Sequence, residues 1–160
     1  MNEEQKKEIE KFYTDFSKRV NEKVISLEMA SLKADSKAFE ALHLKKKLAS
    51  DEIWGLFVFC EKSLYFYVHA WESAMSMMFR QAIHASEPEE QILNFSEIKA
   101  LKFKKVQKKW YDFIFGGNHK IIFEFIDSEG NEQKVFVATQ HKFEEVYKKI
   151  CTFGFAESDK

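Results

Sequence analysis

Proline, cysteine and long apolar runs are scarce in this sequence, and their scarcity excludes several classes of protein. No segment approaches the roughly 20 consecutive apolar residues that a membrane-spanning helix needs. The charged opening, Met1 to Lys7, lacks the apolar stretch of a secretory signal, so we expect a cytoplasmic protein. With 45% hydrophobic residues and one proline among 160 positions, the chain is long enough for one well-buried core and short for two.

The cysteines, histidines and glycines do not form a recognisable chemical motif. Cys60 and Cys151 each lie among apolar neighbours, which predicts buried free thiols rather than a structural disulfide. The five histidines show no HxH or HxxxH spacing and no accompanying cysteine pair, as a metal site would require. Gly116 and Gly117 lack the strand-loop-helix context of a phosphate-binding loop. We expect no metal, no cofactor and no enzymatic activity.

Basic residues are not in excess, but the lysines are unevenly distributed. The net charge is -1, whereas a domain that binds nucleic acid carries a clear basic surplus, so we expect no nucleic-acid partner. Two lysine groups stand out from the rest of the chain. The first lysine group is Lys45, Lys46 and Lys47, and the second lysine group is Lys102, Lys104, Lys105, Lys108 and Lys109.

Aromatic residues are abundant, with 17 phenylalanines, and this favours a β-rich core in which flat rings pack across strands. The first part of the chain instead has a helical repeat, which predicts an amphipathic helix from Glu3 to about Val24. The stretch Ile25 to Phe39 carries scattered apolar residues with Ser and Asp breaks, and we interpret it as a connector that could include a helical turn. The apolar stripe of the helix is Ile9, Phe12, Tyr13, Phe16, Val20 and Val24.

The middle of the chain predicts three strands and a helix. The predicted strands are Ala41 to Lys47, Ile53 to Cys60 and Leu64 to His69. Because the latter two are apolar on both faces, they need a second layer of cover, which the N-terminal helix could supply. Apolar residues at helical spacing then predict a helix from Trp71 to Ile83.

The last part of the chain predicts four more strands and a closing helix. A polar turn with a glycine, Asp127 to Glu132, indicates a β-hairpin between the last two strands. The closing helix runs from Phe143 to Ile150, with Thr139 as its N-cap, and the chain frays from Phe155. The predicted strands are Ile98 to Val106, Trp110 to Gly116, His119 to Ile126 and Lys134 to Ala138.

This order of elements resembles the pleckstrin-homology-like (PH-like) superfold, including bacterial PH-like and GRAM-like domains. The resemblance is carried by Asn94 to Phe103 as the run-in to the fourth strand, the hairpin Ile121 to Val137 and the closing helix. It implies an α+β fold: a partly open antiparallel barrel of about seven strands, capped by a C-terminal helix. We expect one domain, 1–160, divided into a helix and connector (1–39), the barrel with an inserted helix at 71–83 (40–153) and a tail (154–160).

The lysine groups have two interpretations. In PH domains that bind phosphoinositides, basic residues of the first loop and neighbouring strands hold the phosphates, so the resemblance implies an anionic-lipid site at both groups. Against this, Ile53 to Phe59 lacks the basic residue that the family places on its second strand. Lysines also protect exposed strand edges from aggregation, which is the alternative interpretation.

The helix predicted at 71–83 offers a second candidate surface, formed by Trp71, Met75, Met78 and Phe79. These residues suit an adaptable binding face, because methionine recurs at promiscuous surfaces. An interfacial membrane helix is another interpretation, but it would carry lysines on its polar face and this helix has none. We therefore favour a helix that covers a sheet face or a dimer interface.

From these patterns we expect a non-enzymatic interaction module that binds a protein or peptide. The route would be the groove between the last strand and the closing helix, or strand addition at a sheet edge, both of which PH-like folds offer. One alternative is peripheral binding to anionic lipid through the lysines. Another is a small-ligand pocket in a curved sheet of the nuclear-transport-factor type, although bulky phenylalanines predict a filled interior. Homo-oligomerisation is a separate expectation, based on the two apolar helical stripes.

Overall fold

The computed structural model describes residues 2–46, 50–70, 74–85, 89–106 and 119–155; for Ala74, Ser76 and Phe79 it describes the backbone only. In chain order the elements are α1 Glu3–Val20, β1 Val24–Lys33, α2 Ser36–Ala41, β2 Glu52–Cys60, β3 Leu64–Val68, α3 Ala74–Ala82, β4 Gln91–Asn94, β5 Lys102–Lys105, β6 His119–Ile126, β7 Glu132–Thr139 and α4 Phe143–Cys151.

The strands of the described residues form one 7-stranded antiparallel sheet in the order β4-β3-β2-β1-β7-β6-β5. The first strand of the chain is therefore the central one, and β4 and β5 are the two edges. Helices lie before, between and after the strands, so the predicted α+β class is confirmed.

Phe95 shows how the sheet encloses its core. It directly follows β4, and its ring centre lies 5.7 Å from that of Phe57 on β2, 5.4 Å from that of Phe103 on β5 and 5.5 Å from that of Phe123 on β6. Because β4 and β5 are opposite ends of the strand order, the sheet must curl until both ends share one core. We call the face that lines this core the inner face, and the opposite face the outer face.

Helix α1 covers part of the outer face. Its first turn is closed by a reciprocal capping box, in which the Asn2 side chain accepts the Gln5 N–H and the Gln5 side chain accepts the Asn2 N–H. Phe16 is buried, with its ring centre 5.6 Å from that of Tyr65 and 6.0 Å from that of Tyr67. The prediction that the N-terminal helix covers the second face of these strands is confirmed.

Strand β1 begins at Val24, where the N-terminal helix was predicted to end, and runs to Lys33, so the prediction of a connector is wrong for 25–33. The helical turn expected in the same stretch is present, because α2 begins at Ser36. The polar residues of β1 resemble breaks in the sequence, but each has a partner far along the chain. Glu28 accepts hydrogen bonds from the backbone N–H and the ring of His141, and Ser31 donates to Glu52. A central strand can carry polar residues because other elements satisfy their hydrogen bonds.

The strand predicted at Ala41 to Lys47 is also wrong. Helix α2 extends to Ala41, the first residue of the predicted strand, and its first turn is capped by Asp35 through a 2.9 Å hydrogen bond from the Ala38 N–H. Leu42 and Leu44 are buried, as their apolar character suggests, but they lie in the loop after α2. Two alternating leucines are too few to distinguish a strand from a buried loop.

The other predicted strands agree with the structure to different degrees. Four of the predicted strands are confirmed, as β2, β3, β6 and β7. The strand predicted at Ile98 to Val106 is confirmed in part, as the shorter β5. The strand predicted at Trp110 to Gly116 lies outside the described residues, and β4 has no counterpart among the predicted strands. The predicted number of about seven strands therefore agrees with the seven strands of the described sheet. Two of the predicted strands, however, are not among those seven.

The hairpin between β6 and β7 follows its prediction. The Asp127 carboxylate accepts the N–H groups of Glu129 and Asn131, each at 2.9 Å, and Gly130 has a φ of +88°. Only glycine adopts that backbone conformation without strain, so the turn requires it.

The closing helix α4 is confirmed, but its predicted cap is not. Thr139 ends β7 instead of capping α4, so that prediction is wrong. The N-cap position belongs to Lys142, whose side chain makes no capping hydrogen bond. Glu28 of β1 instead accepts the N–H of His141, which holds the β7–α4 connection against the sheet.

Candidate functional site

The described members of the first lysine group lie in the loop after α2, beside β4. The Lys45 ammonium lies 3.6 Å from Glu89, and the Lys45 backbone exchanges two hydrogen bonds with the Gln91 side chain. The Lys46 ammonium donates to the Ser36 hydroxyl at 2.8 Å. Lys47 lies outside the described residues. Both described lysines therefore contact neighbouring side chains within the fold.

The second lysine group is described at Lys102, Lys104 and Lys105, all on β5, whereas its members Lys108 and Lys109 lie outside the described residues. Lys104 binds Glu124 on β6 at 2.8 Å, and this bond holds the pKa of that carboxyl below its usual value. Lys105 lies over the Tyr147 ring of α4. The two groups lie at opposite ends of the strand order, beside β4 and on β5.

Helix α3 carries the second surface predicted from the sequence. Met75 and Met78 are 72% and 71% exposed, so their side chains do not cover the sheet. Phe79 lies within α3 by its backbone, and Trp71 lies outside the described residues. The structure therefore shows an exposed methionine pair on this helix, and the expectations of a binding or dimer surface stay predictions.

A surface that the sequence did not identify lies on the outer face beside α1. Met29 of β1, Trp54 of β2 and Phe136 of β7 are 46%, 61% and 41% exposed. In the strand register Trp54 is opposite Ser31, and Phe136 is opposite Lys33. Met29, Ser31 and Lys33 alternate along β1, so all three apolar side chains lie on the face of Ser31. We call Met29, Trp54 and Phe136 the open face. It continues the surface that α1 covers on β2 and β3.

The open face surrounds three polar residues, which we call the polar centre: Ser31, Glu52 and His119. Ser31 is fully buried and donates its hydroxyl hydrogen to Glu52 Oε1 at 2.5 Å. His119 Nε2 lies 3.5 Å from the same oxygen. Ser31 directs its hydroxyl hydrogen at the Glu52 carboxylate and not at His119. The geometry therefore does not activate a serine nucleophile.

Sequence reasoning came close to part of the open face. It predicted that the strand carrying Trp54 needs a second layer of cover, because that strand is apolar on both faces. The structure shows that α1 covers the neighbouring Val58, Tyr65 and Tyr67 and leaves Trp54 exposed. Met29 could not be placed because β1 was taken as a connector, so the register that brings these strands together was missing.

Two carboxylates hold α1 to the sheet. Glu22 accepts the N–H groups of Lys62 and Ser63 and the hydroxyls of Ser63 and Tyr65. Partial burial acts to raise the pKa of Glu22, but these hydrogen bonds outweigh it and the pKa is lowered. Glu90 accepts the Tyr67 hydroxyl at 2.6 Å and binds Arg19 of α1 at 2.6 Å, and these bonds lower its pKa as well.

Cysteine chemistry gets no support from the geometry. Burial, followed by the nearby charge of Glu22, raises the pKa of the Cys60 thiol to about 11. The thiolate is therefore disfavoured at neutral pH. No three His, Cys, Asp or Glu side chains among the described residues are arranged to hold a metal ion.

Two surface depressions bear on the small-ligand interpretation. One lies on α1 along Ile9 and Tyr13, and the other, of about 320 Å³, lies between the loop after α2 and β4. Neither is lined by a buried phenylalanine of the inner core. Neither depression therefore supports the prediction of a ligand pocket within the curved sheet.

No helix in the described ranges is both long enough and apolar enough to cross a membrane. Comparison with known proteins gives no match: no family model, no curated protein and no solved structure matches this chain.

Proposed function

We propose that this chain is a non-enzymatic interaction module of the PH-like type, which binds a protein or peptide segment through the open face. The class is supported by the strand order β4-β3-β2-β1-β7-β6-β5, by the curled sheet around Phe95 and by the helix α4 that follows the last strand. Helices α1, α2 and α3 are additions to that plan.

The observation that carries the proposal is the exposure of Trp54. A tryptophan that is 61% exposed on the face of a sheet, beside Met29 and Phe136, leaves a large apolar area in water. Tryptophan is among the residues that contribute most to the affinity of protein interfaces. On the adjoining part of the same face, α1 already packs Phe12, Tyr13 and Phe16 against the sheet, so this surface accepts an apolar partner.

The sheet edges have less support as the binding route. On β5, the Phe103 N–H donates to the carbonyl of Phe155, which follows α4. On β4, the Gln91 side chain is paired with the backbone of Lys45. Both edges therefore already have partners within the chain at these positions, and strand addition there would have to displace them.

Selection of peptides from a random displayed library, followed by affinity measurements, tests the proposal. Trp54→Ala and Phe136→Ala should each weaken the selected peptides about tenfold, because each removes an exposed contact that the partner would bury. Met75→Ala, which truncates a still more exposed apolar side chain on α3, is the control and should leave affinity unchanged. Peptides that depend on Met75 and tolerate both open-face changes would overturn the proposal.

Binding to anionic lipid is the second candidate function. The observation in its favour is that Lys102 and Lys105 are exposed on the edge strand β5. Vesicles containing phosphatidylserine test it by co-sedimentation, at about 0.1 M and about 1 M salt, where the Debye length falls from about 10 Å to about 3 Å. Salt-sensitive binding that is lost in a Lys102→Gln and Lys105→Gln variant, and kept in Lys37→Gln, would favour the lipid function.

A further inference from the structure

The polar centre is built over the smallest residues of the outer face. Trp54, Ser31, Ala138 and His119 form one row across four neighbouring strands, as the register pairs Trp54 with Ser31, Ser31 with Ala138 and Ala138 with His119. Large side chains stand at both ends of the row and small ones in the middle. The side chains of Glu52 and His119 meet above these small residues, which explains why Ser31 is fully buried.

The Glu52 carboxylate at this centre is only partly satisfied. It accepts the Ser31 hydroxyl, but His119 Nε2, 3.5 Å away, does not meet hydrogen-bond geometry with it. Among the described residues, His119 Nε2 is the buried side-chain polar atom that has no hydrogen-bond partner. The nearby Lys33 is directed at Asp51, at 3.6 Å. A carboxylate with a 29% exposed side chain thus retains capacity for a further donor.

Trp54 stands beside this carboxylate. It follows Glu52 by two positions on β2, so both side chains are on the outer face, about 7 Å apart along the strand. A carboxylate next to an exposed indole ring is the combination that binds a guanidinium group. The planar guanidinium donates paired N–H groups to the carboxylate and stacks on the aromatic face.

We propose that Glu52 and Trp54 bind an arginine side chain of the partner segment. This inference rests on the proposed function and names the chemistry of its ligand. The charge of the arginine is complementary to the carboxylate, and the apolar neighbours of the arginine contact Met29 and Phe136. Arginine fits better than lysine, because a single ammonium group offers neither a planar stacking surface nor a paired donor.

The test is an NMR titration of the full chain with N-acetyl-arginine N-methylamide at millimolar concentration. The citrulline counterpart, which keeps the shape and loses the charge, is the comparison ligand. The arginine probe should shift the Trp54 indole N–H and the Ser31 amide saturably, and the citrulline probe should bind at least about fivefold more weakly. Glu52→Gln should weaken the arginine probe by a similar factor, whereas Glu61→Gln, on an exposed turn, should not.

Equal responses to the two probes, unchanged binding in Glu52→Gln, or no shift at Trp54 would overturn the arginine site. If Glu52→Gln fails to fold, Trp54→Leu tests the stacking ring instead: the arginine probe, followed at the Ser31 amide, should bind more weakly, and unchanged binding would overturn the site. Selected peptides that depend on Trp54 and Phe136 but not on Glu52 would leave the proposed function standing and refute this inference. A specific response to the arginine probe, with the selected peptides bound elsewhere on the molecule, would support an arginine site and refute the proposed function.

Discussion

At the scale of single residues, Glu22 joins three parts of the molecule. It lies just after α1, and its carboxylate accepts hydrogen bonds from the turn between β2 and β3 and from Tyr65. One charged side chain therefore fixes the end of the helix to a hairpin about 40 positions away, as the contact between Glu22 and Lys62 shows.

The lowered pKa of Glu22 makes its contribution dependent on pH. The unfolded chain takes up the proton near the ordinary value of 4.5, and the folded chain only at a lower pH. Glu22→Gln should therefore reduce the free energy of unfolding by about 1 kcal/mol near neutral pH. The difference from wild type should shrink as the pH falls below 4.5 and through the folded pKa. Urea unfolding of both proteins across this range measures it; a difference that grows on acidification would refute the account.

Gly55 is required by packing rather than by a turn. A Cβ atom at this position on β2 would meet the carbonyl oxygen of Tyr67 and lie 2.8 Å from the Phe66 ring. Gly55→Ala should therefore lower the free energy of unfolding by about 1–3 kcal/mol. Trp54→Ala, at the adjacent exposed position, should change it by less than about 1 kcal/mol. Chemical denaturation compares the two, and equal effects would contradict this packing.

Residue-scale prediction from the sequence succeeded where the environment is local. The glycine of the β6–β7 turn is an example, because the tight turn itself requires it. Glu28 and Ser31 could not be predicted as buried residues. Their partners, His141 and Glu52, come into contact with them only once the sheet is assembled.

At the scale of elements, the segment after α4 protects the edge strand β5. The carbonyl of Phe155 accepts the Phe103 N–H at 2.9 Å, and the ring of Phe153 lies 6.1 Å from that of Phe59. The sequence predicts that the chain frays from Phe155, but Phe155 itself makes this contact with β5. The tail beyond it, 156–160, lies outside the described residues.

Removal of this segment should expose the edge of β5. A chain ending at Thr152 loses the acceptor of the Phe103 N–H, and the amide hydrogen of Phe103 should exchange with solvent about tenfold faster. The amide of Val135, in the ladder between β6 and β7, serves as the control and should change less. Hydrogen exchange followed by NMR gives both rates, and an unchanged rate at Phe103 would show that the segment does not protect β5.

A strand could be predicted from the sequence only where the pattern that defines it lies within the strand and its adjoining turn. The strands β2, β3, β6 and β7 were predicted because continuous apolar runs and a short turn define each hairpin. Strands β1 and β4 were missed because β1 carries buried polar residues and β4 is only 4 residues long. A short strand has too few positions to show alternation, so its pairing with β3 can be read only from the assembled sheet.

At the scale of the whole molecule, the two faces of the sheet differ in their cover. The inner face is filled by phenylalanines and closed by α4, whereas α1 covers only part of the outer face. The sequence predicted the filled interior and the role of α1. How much of the outer face α1 covers depends on the strand order and on the length of α1. The open face is the part that α1 leaves exposed. Homo-oligomerisation and the single-domain organisation stay predictions.

The most direct measurement maps the tightest selected peptide onto the full chain by NMR chemical shifts. We expect the perturbed amides and side chains to cluster on β1, β2 and β7 around Met29, Trp54 and Phe136. Perturbations confined to α3 around Met75 and Met78, or to β5, would contradict it. They would show that the module binds through a surface other than the open face.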